Sequence, residues 1–295
     1  MTEHLRGHLA MLAFSALIAG SFSLGHLAAP FMDPIALTAV RFLLAGALVG
    51  LAAWAQGGLT RQLLAAPWRY LILGALLSAY FVLMFEGLKT AAPVSTSAVF
   101  TLTPPIAAVF GWFLLRQRMT ARMGLALAIG AAGALWVIFR ADWHALVNLH
   151  VGRGEVIYFF GCVAHALYAP LVRRFNRGES PVAFSFGMMV AGWILLTLIG
   201  APALVQTDWL ALPPIVWITL VYAAVAASAL TFVLLQYAAL RLPSAKVMAY
   251  TYLTPSWVIL WEIALGGRTP PLAILGGVGL SILALALLLK DEGHR

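Results

Sequence analysis

The chain has 295 residues, of which 63% are hydrophobic and only 9% charged, and its mean hydropathy is +0.96. Soluble domains carry roughly 25% charged residues, so this composition excludes a soluble enzyme and a disordered chain; the lone Cys162 excludes an intrachain disulfide framework. The net charge of +8 has to be read loop by loop, because membrane proteins distribute Lys and Arg by side of the bilayer.

A bilayer asks for about 20 apolar residues per helix. Ten stretches qualify in chain order: 8–28, 34–54, 70–88, 93–115, 121–139, 154–172, 182–204, 213–238, 244–264 and 270–289. The connections are short and rich in Gly, Pro and Arg, as in Gln56-Gly57-Gly58 and Gly266-Gly267-Arg268. Span one has the outline of a signal peptide, with Arg6 before the apolar run and Leu27-Ala28-Ala29 near its end. Pro30 follows directly and nine more spans come after, so it is read as a retained helix. One side of the alternating loops collects 13 basic residues: Arg6, Arg61, Arg69, Arg116, Arg118, Arg122, Arg173, Arg174, Arg177, Arg241, Lys246, Lys290 and Arg295. The other side holds Lys89, Arg140, Arg153 and Arg268, and Arg41 lies inside a span. Both termini are therefore expected in the cytoplasm, and the basic loops need no nucleic acid to explain them.

Intramembrane charge is expensive and raises a functional question by default. Arg41 in span two reads either as an anchor for a substrate carboxylate or as a cation that snorkels to the outer interface and pairs there. Gly46-x-x-x-Gly50 in the same span permits close helix contact and reads as packing. Glu86 in span three and Glu262 in span nine fall near the outer ends of their spans. They read as proton carriers or gate residues pairing with Arg41 or Lys89, or as interfacial carboxylates in water. His165 sits in the middle of span six, where it suits proton transfer or substrate contact, or a hydrogen bond to a neighbouring helix. His4, His8, His144 and His150 show no ligand spacing, so no metal site and no cofactor are expected.

Pro104 and Pro105 in span four and Pro255 in span nine each remove a backbone donor at mid-span. The two spans are expected to kink there, either lining a cavity and acting as hinges or packing as static bends. Tyr80, Phe100, Thr101, Tyr168, Tyr250 and Thr254 lie near the same depth. Together they read as a largely apolar wall with polar tips, or as ordinary helix packing. No phosphate loop, metal cluster or nucleophile motif points to catalysis, so the chain is not read as an enzyme.

An internal repeat organises the spans. A shift of 147 places Gly7, Ala19, Pro34 and Ala36 on Gly154, Ala166, Pro181 and Ala183. A shift of 151 places Phe81-Val82-Leu83 on Phe232-Val233-Leu234, and Leu102-Thr103-Pro104 on Leu253-Thr254-Pro255. Residues 1–147 and 148–295 then form two five-span halves. Because five is odd, the second half starts from the opposite side, so the halves are inverted about an axis in the membrane plane.

With these motifs in order the chain resembles the drug/metabolite transporter superfamily, in particular its EamA-type ten-helix permeases. The resemblance rests on Ala19-Gly20-Ser21-Phe22, Ala39-Val40-Arg41-Phe42-Leu43-Leu44, Ala166-Leu167-Tyr168 before Arg173-Arg174, Tyr237-Ala238 through Pro243-Ser244-Ala245, and Tyr252-Leu253-Thr254-Pro255. It departs from the family where a Glu is usual after spans four and nine. Those turns read Arg116-Gln117-Arg118 and Gly266-Gly267-Arg268, and Glu262 lies five residues early.

The resemblance implies a bacterial inner-membrane carrier that exports amino acids, aromatic ones included, or related amphipathic metabolites by alternating access. A drug or nucleotide-sugar carrier of the same fold is the alternative, ahead of a channel or an intramembrane enzyme. The expected partners are a small-molecule substrate and the lipid bilayer, and a monomer suffices.

Overall fold

The computed structural model describes residues 3–147, 151–267 and 270–290. His150, Arg268 and Arg295 lie outside the described residues. Among those described, every regular element is helical. The first half contains α1 (Glu3–Ala28), α2 (Pro34–Ala55), α3 (Trp68–Leu88), α4 (Pro93–Phe100), α5 (Thr103–Leu115) and α6 (Ala121–Ile138). The short α7 (Trp143–Val147) leads to the second half, which begins with α8 (Arg153–Phe175), α9 (Pro181–Ile199) and the short α10 (Ala201–Gln206). It continues with α11 (Pro214–Ala224), α12 (Thr231–Ala239), α13 (Ser244–Ala249), α14 (Thr254–Ala264) and α15 (Leu272–Lys290).

Nine described stretches are long and apolar enough to cross a membrane, with α4–α5 and α11–α12 each forming one. The tenth crossing is α13–α14, whose Lys246, Tyr250, Thr251 and Tyr252 make it less apolar. Large side chains such as Trp54, Phe113 and Leu198 face outward, as lipid rather than water requires.

Helix starts follow local chemistry. The Asp33 carboxylate accepts from the Ile35 and Ala36 N–H groups at 2.8 and 3.1 Å, with Pro34 in the first turn of α2. The repeat-equivalent Ser180 accepts from Ala183 N–H at 3.2 Å, and Pro181 opens α9. Both halves therefore start their second span by the same device.

The expected kinks at mid-span are breaks instead. α4 ends at Phe100, and α5 restarts at Thr103 with Pro104 in its first turn. α13 ends at Ala249, a 3-10 turn covers Tyr250–Leu253, and α14 restarts at Thr254 with Pro255 in its first turn. A first turn has no use for the missing proline N–H, so these residues set where new helices begin. At the first break hydroxyls bond back to carbonyls at the end of α4. Thr101 Oγ1 donates to Ala98 O at 2.7 Å, and Thr103 Oγ1 donates to Phe100 O at 2.5 Å. At the second break the Thr251 and Thr254 hydroxyls have no partner. Thr103→Val is expected to cost about 1 kcal/mol, read as a lower unfolding temperature in detergent; an unchanged temperature would deny the hydroxyl this role. Two features have no counterpart in the sequence reading: Pro170 inside an unbroken α8, and a π turn over Val225–Leu230 between α11 and α12.

Helix packing carries the inversion. α3 packs on α8, and its repeat equivalent α11–α12 packs on α1. α5 lies on α8 as α14 lies on α1, and α3 touches α9 as α11 touches α2. The pairs α2–α9, α6–α15 and α4–α5 with α13–α14 map onto themselves. Exchanging the halves leaves this set unchanged, as a two-fold axis between them demands. Phe81 and Phe232, paired by the 151-residue shift, stack with ring centres 5.7 Å apart and planes at 19°. The axis therefore runs between these rings.

Small residues permit the closest approaches. α3 crosses α8 with Gly87 against Gly154, where a Cβ on Gly87 would lie 2.6 Å from the Gly154 carbonyl oxygen. Gly46 and Gly50 face Met189 and Phe186 of α9, a packing contact.

Candidate functional site

The inner faces of α1, α3, α4 and α8 bring a set of rings together where the halves meet. On α8, Tyr158, Cys162 and His165 follow one helical face at spacings of four and three, and Tyr168 extends it. The His165 ring stacks on Tyr80 of α3 at 4.4 Å between centres and lies 5.3 Å from Phe100 of α4. Phe14 of α1 and Tyr168 complete its surroundings at 6.5 and 6.3 Å. Tyr158 O–H donates to the Tyr80 oxygen at 3.1 Å, and Phe22 of α1 packs edge-on against Tyr158. Gln236 of α12 donates from Nε2 to the Tyr168 oxygen at 2.7 Å. All of these side chains are buried.

The cluster holds unspent hydrogen-bonding capacity. His165 Nδ1 and Gln236 Oε1 are buried without a partner. Buried polar atoms are normally satisfied, and leaving one unpaired costs about 1–3 kcal/mol. A packed core gains nothing from these atoms, whereas a site that exchanges ring–ring contacts for a polar ligand uses them.

Arg41 lies alongside, fully buried in α2. Its Nε donates to Ser228 Oγ and its Nη2 to the Ala227 carbonyl, both at 2.5 Å and both on the π turn. The guanidinium carbon sits 3.6 Å above the centre of the Phe81 ring. It does not snorkel to an interface, so that part of the sequence reading is corrected.

Other expected site residues lie elsewhere. Thr101 is spent on the α4 backbone, and Thr254 is buried at the start of α14 with its hydroxyl unpaired. Tyr250 shares a 3.0 Å hydrogen bond with His8 Nδ1 near the start of α1, away from the His165 rings. Glu86 pairs with Lys89 at 2.7 Å in a partly exposed contact and does not reach Arg41. Glu262 is half-buried near the end of α14. A shallow pocket of about 450 Å³ opens beside Lys89, lined by residues 29–33. In the turn after span four, Gln117 Oε1 accepts from the Ser244 N–H at 3.2 Å and so ties that turn to the start of α13.

The sequence reading missed Tyr158, Phe14, Phe22, Gln236 and Ser228. Tyr158 was accessible to it, seven residues before His165 on the same face. The Ser228 contact depends on the π turn, which has no comparable signal.

At the end of the bundle where α3 begins, a second buried group joins the halves. Arg69 Nη2 pairs with Glu179 Oε1 at 2.7 Å, with both side chains almost fully buried. Arg69 also donates to the Phe175 and Ala66 carbonyls, and Tyr70 O–H donates to Glu179 Oε1 at 3.3 Å. Burial pushes the Glu179 carboxyl up, but hydrogen bonds from Arg69 and the Arg177 N–H outweigh it and hold the carboxyl below its ordinary 4.5.

Comparison with known proteins agrees with this architecture. A solved crystal structure that shares 22% identity superposes with a TM-score of 0.71 over 99% of both chains, which shows the fold. The uncharacterized transporter YyaM of Bacillus subtilis is 25% identical over 278 residues, or 94% of this chain and 91% of that protein. The aromatic amino acid exporter YddG of Ancylobacter novellus is 28% identical over 212 residues, or 70% of this chain and 71% of its own. The sequence profile of the EamA-like transporter family matches residues 5–139 and 152–290. The chain is a multi-pass membrane protein and belongs to the EamA-like transporter family.

Proposed function

We propose that the chain exports small amphipathic metabolites across the bacterial inner membrane by alternating access, with aromatic amino acids as its first cargo. The observation that carries this reading is the buried cluster of Tyr80, Phe100, Tyr158, His165 and Tyr168 between two inverted halves. Aromatic faces suit a flat apolar side chain, and the unpaired polar atoms around them suit its amino-acid end. A similar relative that exports aromatic amino acids supports the same cargo. A nucleotide-sugar cargo would favour several cations about the cluster, and Arg41 is the one that the hydrogen bonds and ring contacts put there. The end of the bundle that carries most Lys and Arg faces the cytoplasm in this reading, together with both termini. A monomer encloses the site.

The test is uptake of labelled phenylalanine and tryptophan into proteoliposomes, with and without unlabelled amino acid preloaded inside. Uptake should saturate and accelerate with preloading, as expected of a carrier and not of a channel. His165→Ala and Tyr80→Ala should each lower transport about tenfold, the loss of one aromatic contact of about 1 kcal/mol or slightly more, while eluting as folded protein. No flux for any amino acid would overturn the cargo.

A further inference from the structure

Arg41 and Arg69 are equally buried, yet only one has a counter-charge. Among the described residues the ion pairs join Arg6 and Arg241 to Glu3, Arg69 to Glu179 and Lys89 to Glu86. Arg41 contacts a serine, a backbone carbonyl and aromatic rings. A guanidinium stays charged even here, and an uncompensated buried charge costs several kcal/mol. Evolution can remove such a cost with an apolar residue, and the repeat-equivalent position holds Met188, which is also fully buried. The fold therefore has no need of a cation at this place.

The way the group is held gives its use. The guanidinium has two edges able to meet a carboxylate with two parallel hydrogen bonds. The edge formed by Nε and Nη2 is fixed to Ser228 and Ala227 on the π turn, a helix form often associated with functional sites. Nη1, on the other edge, is buried and has no partner. Holding one edge fixes the plane of the group and reduces the ordering cost when a ligand meets the other. The Phe81 ring beneath Arg41 touches Tyr80, with centres 4.6 Å apart, and Tyr80 stacks on His165. Cation and ring cluster are thus neighbours.

We propose that Arg41 is the anchor for a single carboxylate, received on its Nη1 side, and that this makes the cargo a carboxylate-bearing amphipathic molecule. The inference rests on the proposed carrier function and deepens it. One guanidinium balances one negative charge, so a monocarboxylate is preferred over a cationic amine of the same shape.

The experiment measures binding to purified protein in detergent by thermal stabilisation, and separately inhibition of transport in proteoliposomes. The probes are phenylalanine, 3-phenylpropionate, which lacks the amine, and phenethylamine, which lacks the carboxylate. The wild type should respond to the first two and not to the amine. Arg41→Gln should weaken binding of both acids about tenfold to hundredfold, the value of a charge-assisted hydrogen bond, and Arg41→Lys should restore part of it. Should Arg41→Gln fail to fold, Ser228→Ala releases Nε, leaves Nη2 on the Ala227 carbonyl and keeps the charge, and should weaken both acids in the same direction. Equal response to phenethylamine, or acid binding unchanged in these variants, overturns the anchor. Binding of 3-phenylpropionate that depends on Arg41, without flux of any amino acid, supports the anchor while refuting the amino-acid cargo.

Discussion

Glu179→Gln should destabilise the folded protein by about 3 kcal/mol, the lower end of the range for breaking a buried pair, because the site lies at the end of the bundle near water. The substitution keeps the shape of the side chain and removes the charge that Arg69 faces at 2.7 Å. Arg69 would then be a buried cation facing a neutral amide oxygen and the Ala66 and Phe175 carbonyls, with no counter-charge. Arg69→Met combined with Glu179→Leu should recover much of the loss, since replacing both members by apolar groups avoids the unpaired charge. The pH dependence has a definite sign. The Glu179 carboxyl titrates lower in the folded protein than its ordinary 4.5, so its contribution is complete above that value and disappears as pH falls through the folded value below it. Unfolding temperatures measured in detergent from pH 7 down to pH 3 should fall less steeply below 4.5 in Glu179→Gln than in the wild type. Parallel curves would show that the pair does not carry this part of the stability.

The crossing of α3 and α8 should tolerate change even less. At Gly87 a methyl group would meet the Gly154 carbonyl at 2.6 Å, and at Gly154 a Cβ would meet Gly87 O closer still. The obstacle on each side is backbone, which cannot swing aside as a side chain can. Gly87→Ala is expected to cost about 3 kcal/mol or more by overpacking and to leave little folded protein after detergent extraction. Gly124, in α6, has nothing within 4 Å of its would-be Cβ. Gly124→Ala should be neutral or stabilising by up to about 1 kcal/mol, since alanine loses less backbone freedom on folding. Equal yields from the two variants would refute the close crossing.

The parts legible in the sequence were those written in patterns that lipid enforces. Hydropathy marks nine of the described spans and α13–α14 more weakly, since the bilayer leaves backbone groups no partner outside a helix, and Pro34 and Pro181 mark equivalent helix starts. The Leu-Thr-Pro pair marked the right places in spans four and nine, although as new helix starts and not as bends. The site was legible only in part. Tyr80, Phe100, His165 and Tyr168 lie together, whereas Tyr250 faces His8. Depth is set by position along a span, but azimuth is set by helix packing, and Tyr250 lies in the 3-10 interruption at 250–253, where the α-helical period no longer fixes the face of a side chain. The π turn resets the face of α12 in the same way, so the Arg41–Ser228 contact had no sequence signature.

The stacked Phe81 and Phe232 rings have an electrical consequence for the proposed cycle. Arg41 lies over one of them, close to the line about which the halves would exchange roles, and a point on that line does not move when they do. An elementary charge carried through the whole membrane field does work of about 2.3 kcal/mol for every 100 mV. A guanidinium near the line stays in place while the barrier passes from one side of it to the other, so in the proposed cycle it crosses much of the field without moving. The resting potential of the cell would then act on this fixed charge as well as on the charge of the cargo, and a bound carboxylate would offset it.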